Sequence, residues 1–273
     1  TLATTSDLVT LTIATNENIS SPTVAFTSGG AAAGNVDTVS GASPGTSFTS
    51  AYTVDASDTD GTVAISITAT DVAGNTTSGF TTISAGSVTV DQTAPASQKT
   101  QGVVTTGGDN QVAGYWNSGN TGVDITVPIA DDSSINGGTV QLLVSTDGGG
   151  SFVPLDTPST ISAVNTNKTI SVAGGVLEGV AGFGESDVLQ FKATITDTSG
   201  NATTGTVSDT TLTVDQTAAT ISTSSIASDN ATVTLAKTGD TVTLTIATNE
   251  NVSSPTVTFT SGGAAATNAD TVS

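Results

Sequence analysis

Thr62-Val63-Ala64-Ile65-Ser66-Ile67-Thr68-Ala69-Thr70-Asp71-Val72-Ala73-Gly74-Asn75 decides the fold class. Val63, Ile65 and Ile67 recur at period two, which places them on one face of a half-buried strand and the intervening small and polar residues on the other. Asp71-Val72-Ala73-Gly74-Asn75 then supplies a turn, since Asp and Asn bond their own backbone and Gly accepts positive φ. The same plan returns in residues 188–196, which end at Thr196 and run into Asp197-Thr198-Ser199-Gly200-Asn201. After each turn the chain closes an alternating run on the same words: Val90-Asp91-Gln92-Thr93-Ala94 and, 124 positions later, Val214-Asp215-Gln216-Thr217-Ala218. These two stretches read as joints between modules, and they divide the 273 residues into 1–92, 93–216 and 217–273.

Working outward, the first module reads as short strands at 8–14, 23–26, 47–54, 62–70 and 86–90. The segment 16–22 is expected to be a loop, and a Gly/Ala/Ser stretch up to Gly45 a loose connection. The second module has a polar segment up to Gly114, Tyr115-Trp116-Asn117, strands at 123–129, 140–145, 152–155, 169–172 and 188–196, and a hairpin turn at Asp147-Gly148-Gly149-Gly150. The third supplies a first strand at 220–226 that the first module lacks. Residues 1–40 and 234–273 align without a gap and differ at only seven positions, so the chain reads as a piece of a longer tandem array. About seven short strands per complete module, each bounded by turn signals, describe a Greek-key β-sandwich; a barrel is the alternative.

Composition agrees. Apolar residues make up 35% and aromatic ones 4%, so cores must be thin and built from Val, Ile, Leu and Ala. The β-branched residues Thr, Val and Ile are abundant, and their stiff side chains suit pleated surfaces. Twenty-four acidic residues against four lysines (Lys99, Lys168, Lys192, Lys237) give a net charge of −20, which repels polyphosphate and argues against nucleic acid as a partner. The regular apolar alternation argues against disorder despite that charge. With no Cys there is no disulfide framework, and with neither His nor Cys no familiar hydrolytic triad can be assembled; glycoside hydrolysis by paired carboxylates is the remaining familiar option, but the carboxylates fall in strand-end loops and not in a recognisable cleft, so no enzymatic activity is expected. No apolar run approaches the about 18 residues of a membrane span. The first residues read as strand, so a signal peptide is not expected at this start.

Val90-Asp91-Gln92-Thr93-Ala94-Pro95 at a module boundary, together with Thr70-Asp71-Val72-Ala73-Gly74-Asn75 and Thr196-Asp197-Thr198-Ser199-Gly200-Asn201, resembles the bacterial immunoglobulin-like repeats of very large secreted adhesins, including biofilm-associated and RTX-type surface proteins. The resemblance covers essentially the whole chain. It implies an all-β linear array of immunoglobulin-like Greek-key sandwiches, export to the cell surface, and Ca²⁺ held at or near the joints. It implies no particular ligand.

In such a sandwich, with strands A to G, the B–C and F–G loops lie at the leading end, and the E–F loop and the end of G at the trailing end. Asp131 and Asp132 (B–C) and Asp197 and Asn201 (F–G) of the second module should therefore meet Asp55, Asp58 and Asp60 (E–F) and Asp91 (end of G) of the first. The same logic gathers Glu185, Asp187 and Asp215 with Asn249, Glu250 and Asn251 at the second joint. Ca²⁺ takes about six to eight oxygen ligands in irregular geometry, and it fits these side chains better than Zn²⁺, which favours His or Cys. The other reading is that Asp and Asn merely form turns on a soluble stalk. Asp55-Ala56-Ser57-Asp58-Thr59-Asp60-Gly61 has the spacing of a calcium loop but not the distant Glu or flanking helices of an EF-hand.

The expected role is a structural stalk at the bacterial cell surface whose partners are neighbouring modules of the same chain. Two alternatives stand beside it. One is a carbohydrate- or surface-binding module in which Trp116 forms a stacking platform; the plainer reading of that residue is core packing. The other is a filament built from copies of the chain.

Overall fold

The computed structural model describes residues 1–108, 111–253 and 255–266, and the chain folds as two compact units, Thr1–Asp215 and Gln216–Ser273. Within the first unit two apolar cores form, one from residues 3–90 and one from residues 103–214.

The first core is enclosed by β1 (Leu2–Ala3), β2 (Leu8–Ile19), β3 (Thr23–Ser28), β4 (Ala31–Ala32), β5 (Gly45–Thr53), β6 (Gly61–Thr70), β7 (Thr76–Phe80) and β8 (Thr89–Val90). β2 and β5 make one layer, and β1-β8-β6-β3-β4 the other, with β7 also on β6. Period-two alternation drives the closure: Val9 and Ile13 on β2, Phe48 and Tyr52 on β5, and Val63, Ile65 and Ile67 on β6 all point inward and are buried. Phe26 and Tyr52 pack across the layers with ring centroids 5.1 Å apart and ring planes tilted by 45°.

The second core uses β9 (Gln101–Thr106), β10 (Tyr115–Trp116), β11 (Gly122–Ile129), β12 (Thr139–Ser145), β13 (Val153–Thr160), β14 (Thr166–Ala173), the short helix α1 (Gly174–Glu178), β15 (Val188–Thr196), β16 (Ala202–Thr204) and β17 (Leu212–Val214). One layer runs β14-β11-β9 and the other β10-β17-β15-β12-β13, with β16 also on β15. The β12–β13 hairpin crosses to β14 on the opposite layer and returns as β15, which is the Greek-key connection of an immunoglobulin-like sandwich. In strand letters β9, β11 and β14 are A, B and E; β12, β13, β15 and β17 are C, C′, F and G. In the first module β2, β3, β5 and β6 are B, C, E and F.

The second unit pairs β18 (Ile221–Ser228) antiparallel with β19 (Val242–Thr248) and ends in a small hairpin of β20 (Thr260–Ser261) and β21 (Ala264–Ala265). Among its described residues no apolar side chain is buried, as expected of paired strands without an opposing layer.

Four expectations need correction. β2 continues through 16–18 instead of looping there: its ladder with β5 breaks between Ala14 and Ile19, and Ile19 then bridges Asp71 while the Ser20 N–H donates to the Thr70 carbonyl at 3.0 Å. The buried Ile19 anchors that extension. The polar segment before Gly114 contains β9, where only Val103 and Thr105 turn inward, opposite Ile125 and Val123. The connection before Gly45 is tied to β5 by bridges from Val36 to Tyr52 and from Ser40 to Thr49. The final run of the first module is a strand only at Thr89–Val90.

Candidate functional site at the first module joint

Asp91 follows β8, and its backbone N–H donates to the Ala3 carbonyl at 2.9 Å, so the parallel β1–β8 pair fixes it at the trailing end of the first module. From the second module, the F–G turn between β15 and β16 meets it. Asp197 is buried there and organises that turn: Oδ1 accepts from the N–H groups of Ser199 at 2.8 Å and Asn201 at 2.9 Å, and Oδ2 from Asn201 Nδ2 at 2.9 Å. Held this way, Ser199 Oγ donates to Asp91 Oδ2 at 2.6 Å, and Asn201 Nδ2 donates to the Asp91 carbonyl at 3.0 Å. Asn201 Oδ1 accepts from Thr4 Oγ1 at 3.0 Å. The two modules are therefore hydrogen-bonded directly to each other.

The E–F loop of the first module clamps the linker. Asp60 Oδ1 accepts from the Gln92 N–H at 2.8 Å and Oδ2 from the Thr93 hydroxyl. Gln92 Nε2 donates to the carbonyls of Asp55 at 3.0 Å and Asp58 at 3.2 Å, while Gln92 Oε1 accepts from Thr5 Oγ1 at 2.6 Å. Asp58 Oδ2 accepts from the Asp55 N–H at 3.0 Å, and Asp55 Oδ1 accepts from the Ser57 hydroxyl at 2.6 Å and N–H at 2.7 Å. The Ser57 hydroxyl, then its N–H, hold the Asp55 carboxyl below its ordinary pKa by stabilising the charged form.

Asp55, Asp58 and Asp60 thus converge on the linker after Asp91, and Asp197 and Asn201 on Asp91 itself. Asp132 Oδ1 instead caps the 3₁₀ turn Ser133–Ile135 by accepting from Ser134 N–H at 2.9 Å and Oγ at 2.7 Å. That turn reaches the F–G loop through the Thr198 N–H, which donates to the Ser134 carbonyl at 3.2 Å; Asp131 beside it is exposed. At the far end of the second module, the Asp187 carbonyl accepts from the Val214 N–H at 2.9 Å and the Asp215 N–H donates to the Trp116 carbonyl at 2.8 Å. Glu250 belongs to the second unit, where its Oε1 is buried without a hydrogen bond. Among the described residues no three acidic side chains gather closely enough to hold a metal ion.

Trp116 is corrected as a stacking platform. It is 0% exposed, packs edge-on to Phe183 at 6.5 Å between centroids, and donates from Nε1 to Glu178 Oε1 at 3.1 Å. Buried in the core, it has no face to offer a sugar. Gln92, Thr93, Ser199 and Thr4 were missed by sequence reasoning. A signal existed for two of them, because Gln-Thr follows Asp in both joint stretches; Ser199 had none, since the first module carries Ala73 at the corresponding turn position.

The strand order defines tandem immunoglobulin-like β-sandwiches, and the joint defines how two of them are coupled. Similarity to solved structures is distant. A titin fragment shares 13% identity with a TM-score of 0.40, over 78% of this chain and 61% of its own. An I-band fragment of titin shares 11% with a TM-score of 0.33, over 79% and 62%. The tetra-tandem repeat in the extending region of a large adhesion protein shares 17% with a TM-score of 0.28, over 89% and 60%. The chain therefore spans about three fifths of each of these fragments. No protein-family model and no characterised protein matches it in sequence. Among the described residues no helix is long and apolar enough to cross a membrane.

Proposed function

We propose that this chain is a spacer segment of a repetitive bacterial surface adhesin, whose modules are set in line by hydrogen bonds between the end of one sandwich and the F–G turn of the next. The observation that carries the reading is the triple contact of Asp91 and Thr4 with Ser199 and Asn201. A passive tether would be served by a flexible polar linker, and this linker is clamped on both sides. Reach is then the function, and neighbouring modules are the partners.

Calcium belongs to the same proposal. Asp60, Asp91 and Asp197 approach one joint in a chain of net charge −20, and Glu250 buries an oxygen that a cation would compensate. The ion would have to draw Asp91 or Asp60 from its present hydroxyl and amide partners and complete its shell with carbonyls and water. Small-angle scattering of the full chain, with calcium and then with chelator, tests this. A narrower spread of dimensions in calcium supports bridging by the ion. If the profiles superimpose, calcium has no part in the joint, and the hydrogen-bonded spacer is judged by the Asn201 variant described below.

A further inference from the structure

At its leading end the first module carries a turn built like the docked turn of the second. Asp71 Oδ1 accepts from the Asn75 N–H at 2.8 Å and Oδ2 from Asn75 Nδ2 at 2.7 Å, the same two bonds with which Asp197 holds Asn201. The backbone closes both turns alike, with the Asp71 N–H on the Asn75 carbonyl at 2.9 Å and the Asp197 N–H on the Asn201 carbonyl at 3.0 Å. The tips differ in chemistry: Val72 and Ala73 stand where the second module has Thr198 and Ser199. Val72 is 71% exposed, and Ala73, Gly74 and Asn75 are exposed beside it.

The trailing ends are also built alike at the last strand. The Asp215 N–H donates to the Trp116 carbonyl at 2.8 Å as the Asp91 N–H does to that of Ala3 at 2.9 Å, each beside a parallel strand pair. Around that aspartate they diverge. Thr62 lies opposite Thr89 and Val188 opposite Thr213, so Ser186 stands where the first module has Asp60, and the carboxylate that clamps Gln92 and Thr93 has no counterpart. The E–F connection differs in the same sense. Residues 179–184 read Gly-Val-Ala-Gly-Phe-Gly, with Ala181 exposed and Val180 and Phe183 partly buried against the core, whereas 55–60 carries three aspartates.

Two matched pairs result. Ser199, with a hydroxyl to give, meets the carboxylate of Asp91, while Val72 and Ala73 have none to give and suit the apolar 179–184. The order of modules agrees, because residues 234–273, which follow the second module, repeat the start of the first with only seven differences.

We propose that the turn Asp71–Asn75 is a docking surface whose partner is the trailing end of a module of the second kind, with Asn75 Nδ2 donating to the Asp215 carbonyl as Asn201 Nδ2 does to that of Asp91. The array then alternates two joints. The joint at Asp215 has neither the serine–carboxylate bond nor the Asp60 clamp, so it is the more pliant of the two. This inference rests on the spacer reading of the first joint and extends it to a second kind of joint.

The chain has no cysteine, so pairs can be introduced cleanly. Residues 1–40 and 234–273 align without a gap, so placing residues 1–233 of one copy directly before a full chain keeps the spacing of the array. In this tandem, D215C of the upstream copy and A73C of the downstream copy are expected to form a disulfide on mild oxidation, with loss of both thiols to maleimide labelling. D91C with S199C in the single chain is the reference for a docked turn, since those side chains already touch at 2.6 Å. A73C and D215C both in the upstream copy lie at opposite ends of their modules and should keep both thiols. A test pair that stays open while the reference closes would overturn the docking and leave the spacer reading standing; a reference that stays open takes both down. Stiffness is read separately by Ala73→Ser in the downstream copy, which supplies the missing hydroxyl and should narrow the spread of dimensions in small-angle scattering of the tandem. An unchanged spread would overturn the alternation in stiffness.

Discussion

Ser6 and Gly239 occupy the same position in the two copies of the repeat, and both hold positive φ, at 79° and 96° respectively. A non-glycine residue in this left-handed region is strained by about 1–2 kcal/mol, so Ser6→Gly should stabilise the first module by up to about 1 kcal/mol after its added unfolded-state freedom is subtracted. Chemical denaturation followed by the tyrosine signal measures it. Asp147 shows the opposite kind of residue, one whose chemistry suits its turn. The Ser145 hydroxyl, then the Ser151 N–H and hydroxyl, hold its carboxyl well below the usual carboxylate range. A lowered folded pKa means that its contribution is complete above the unfolded value of about 3.9 and is lost as pH falls toward the folded one. The melting difference between wild type and Asp147→Asn should therefore be constant from neutral pH down to about pH 5 and then shrink with further acidification. Turn residues of this kind were legible in sequence because their partners lie within four positions. The burial of Trp116 was not, because Glu178 and Phe183 reach it from 62 and 67 residues away. As the single Trp of the chain it reports on its own surroundings: its emission should be blue-shifted and resist acrylamide quenching until the second module unfolds.

Strands with strict alternation were legible nearly to the residue, as β15 at Val188–Thr196 and β6 at Gly61–Thr70 show. β9 was hidden because a single Val–Thr pair faces inward, too little period to register against a Gly-rich background. The run of β2 through 16–18 was hidden for a different reason, since its last residue, Ile19, pairs with Gly45 of β5 across a register shift and with Asp71 in the turn after β6, and no local pattern encodes either partner. Loop polarity, by contrast, followed from strand order alone, and it brought Asp55, Asp58, Asp60, Asp197 and Asn201 to the first joint. Which atoms would bond was not encoded, because Ser199 meets Asp91 only after both modules are folded. Asn201→Ala removes the amide that serves Asp91, Thr4 and Asp197 at once. Loss of a cross-module bond of this sort costs about 1–3 kcal/mol. Both modules should keep their strand signature by circular dichroism, while small-angle scattering broadens toward a mixture of bent shapes. An unchanged profile would mean that the joint is set by linker length and not by these bonds.

At the scale of the whole molecule the two cores are unequal. Among the described residues the second module buries twenty apolar side chains in its cluster and the first only twelve. Each fully buried Val, Leu, Ile or Phe contributes about 1.5–3 kcal/mol before chain entropy is set against it, so eight further side chains are a large difference between two neighbouring sandwiches. The second unit, with no buried apolar side chain among its described residues, should contribute no cooperative transition of its own. Calorimetry of the full chain is therefore expected to resolve two transitions, the first module melting below the second. The joint links them: while the second module is folded, Ser199 and Asn201 hold Asp91 at the end of β8, which pairs with β1 and β6 and so closes the first sandwich. Breaking that contact in Asn201→Ala should lower the first transition and leave the second nearly in place, because Asp197 still organises its turn through the backbone N–H groups of Ser199 and Asn201. A shift confined to the upper transition would place the contact's stabilising effect in the second module, and a single unsplit transition would mean that the joint binds the sandwiches into one cooperative unit.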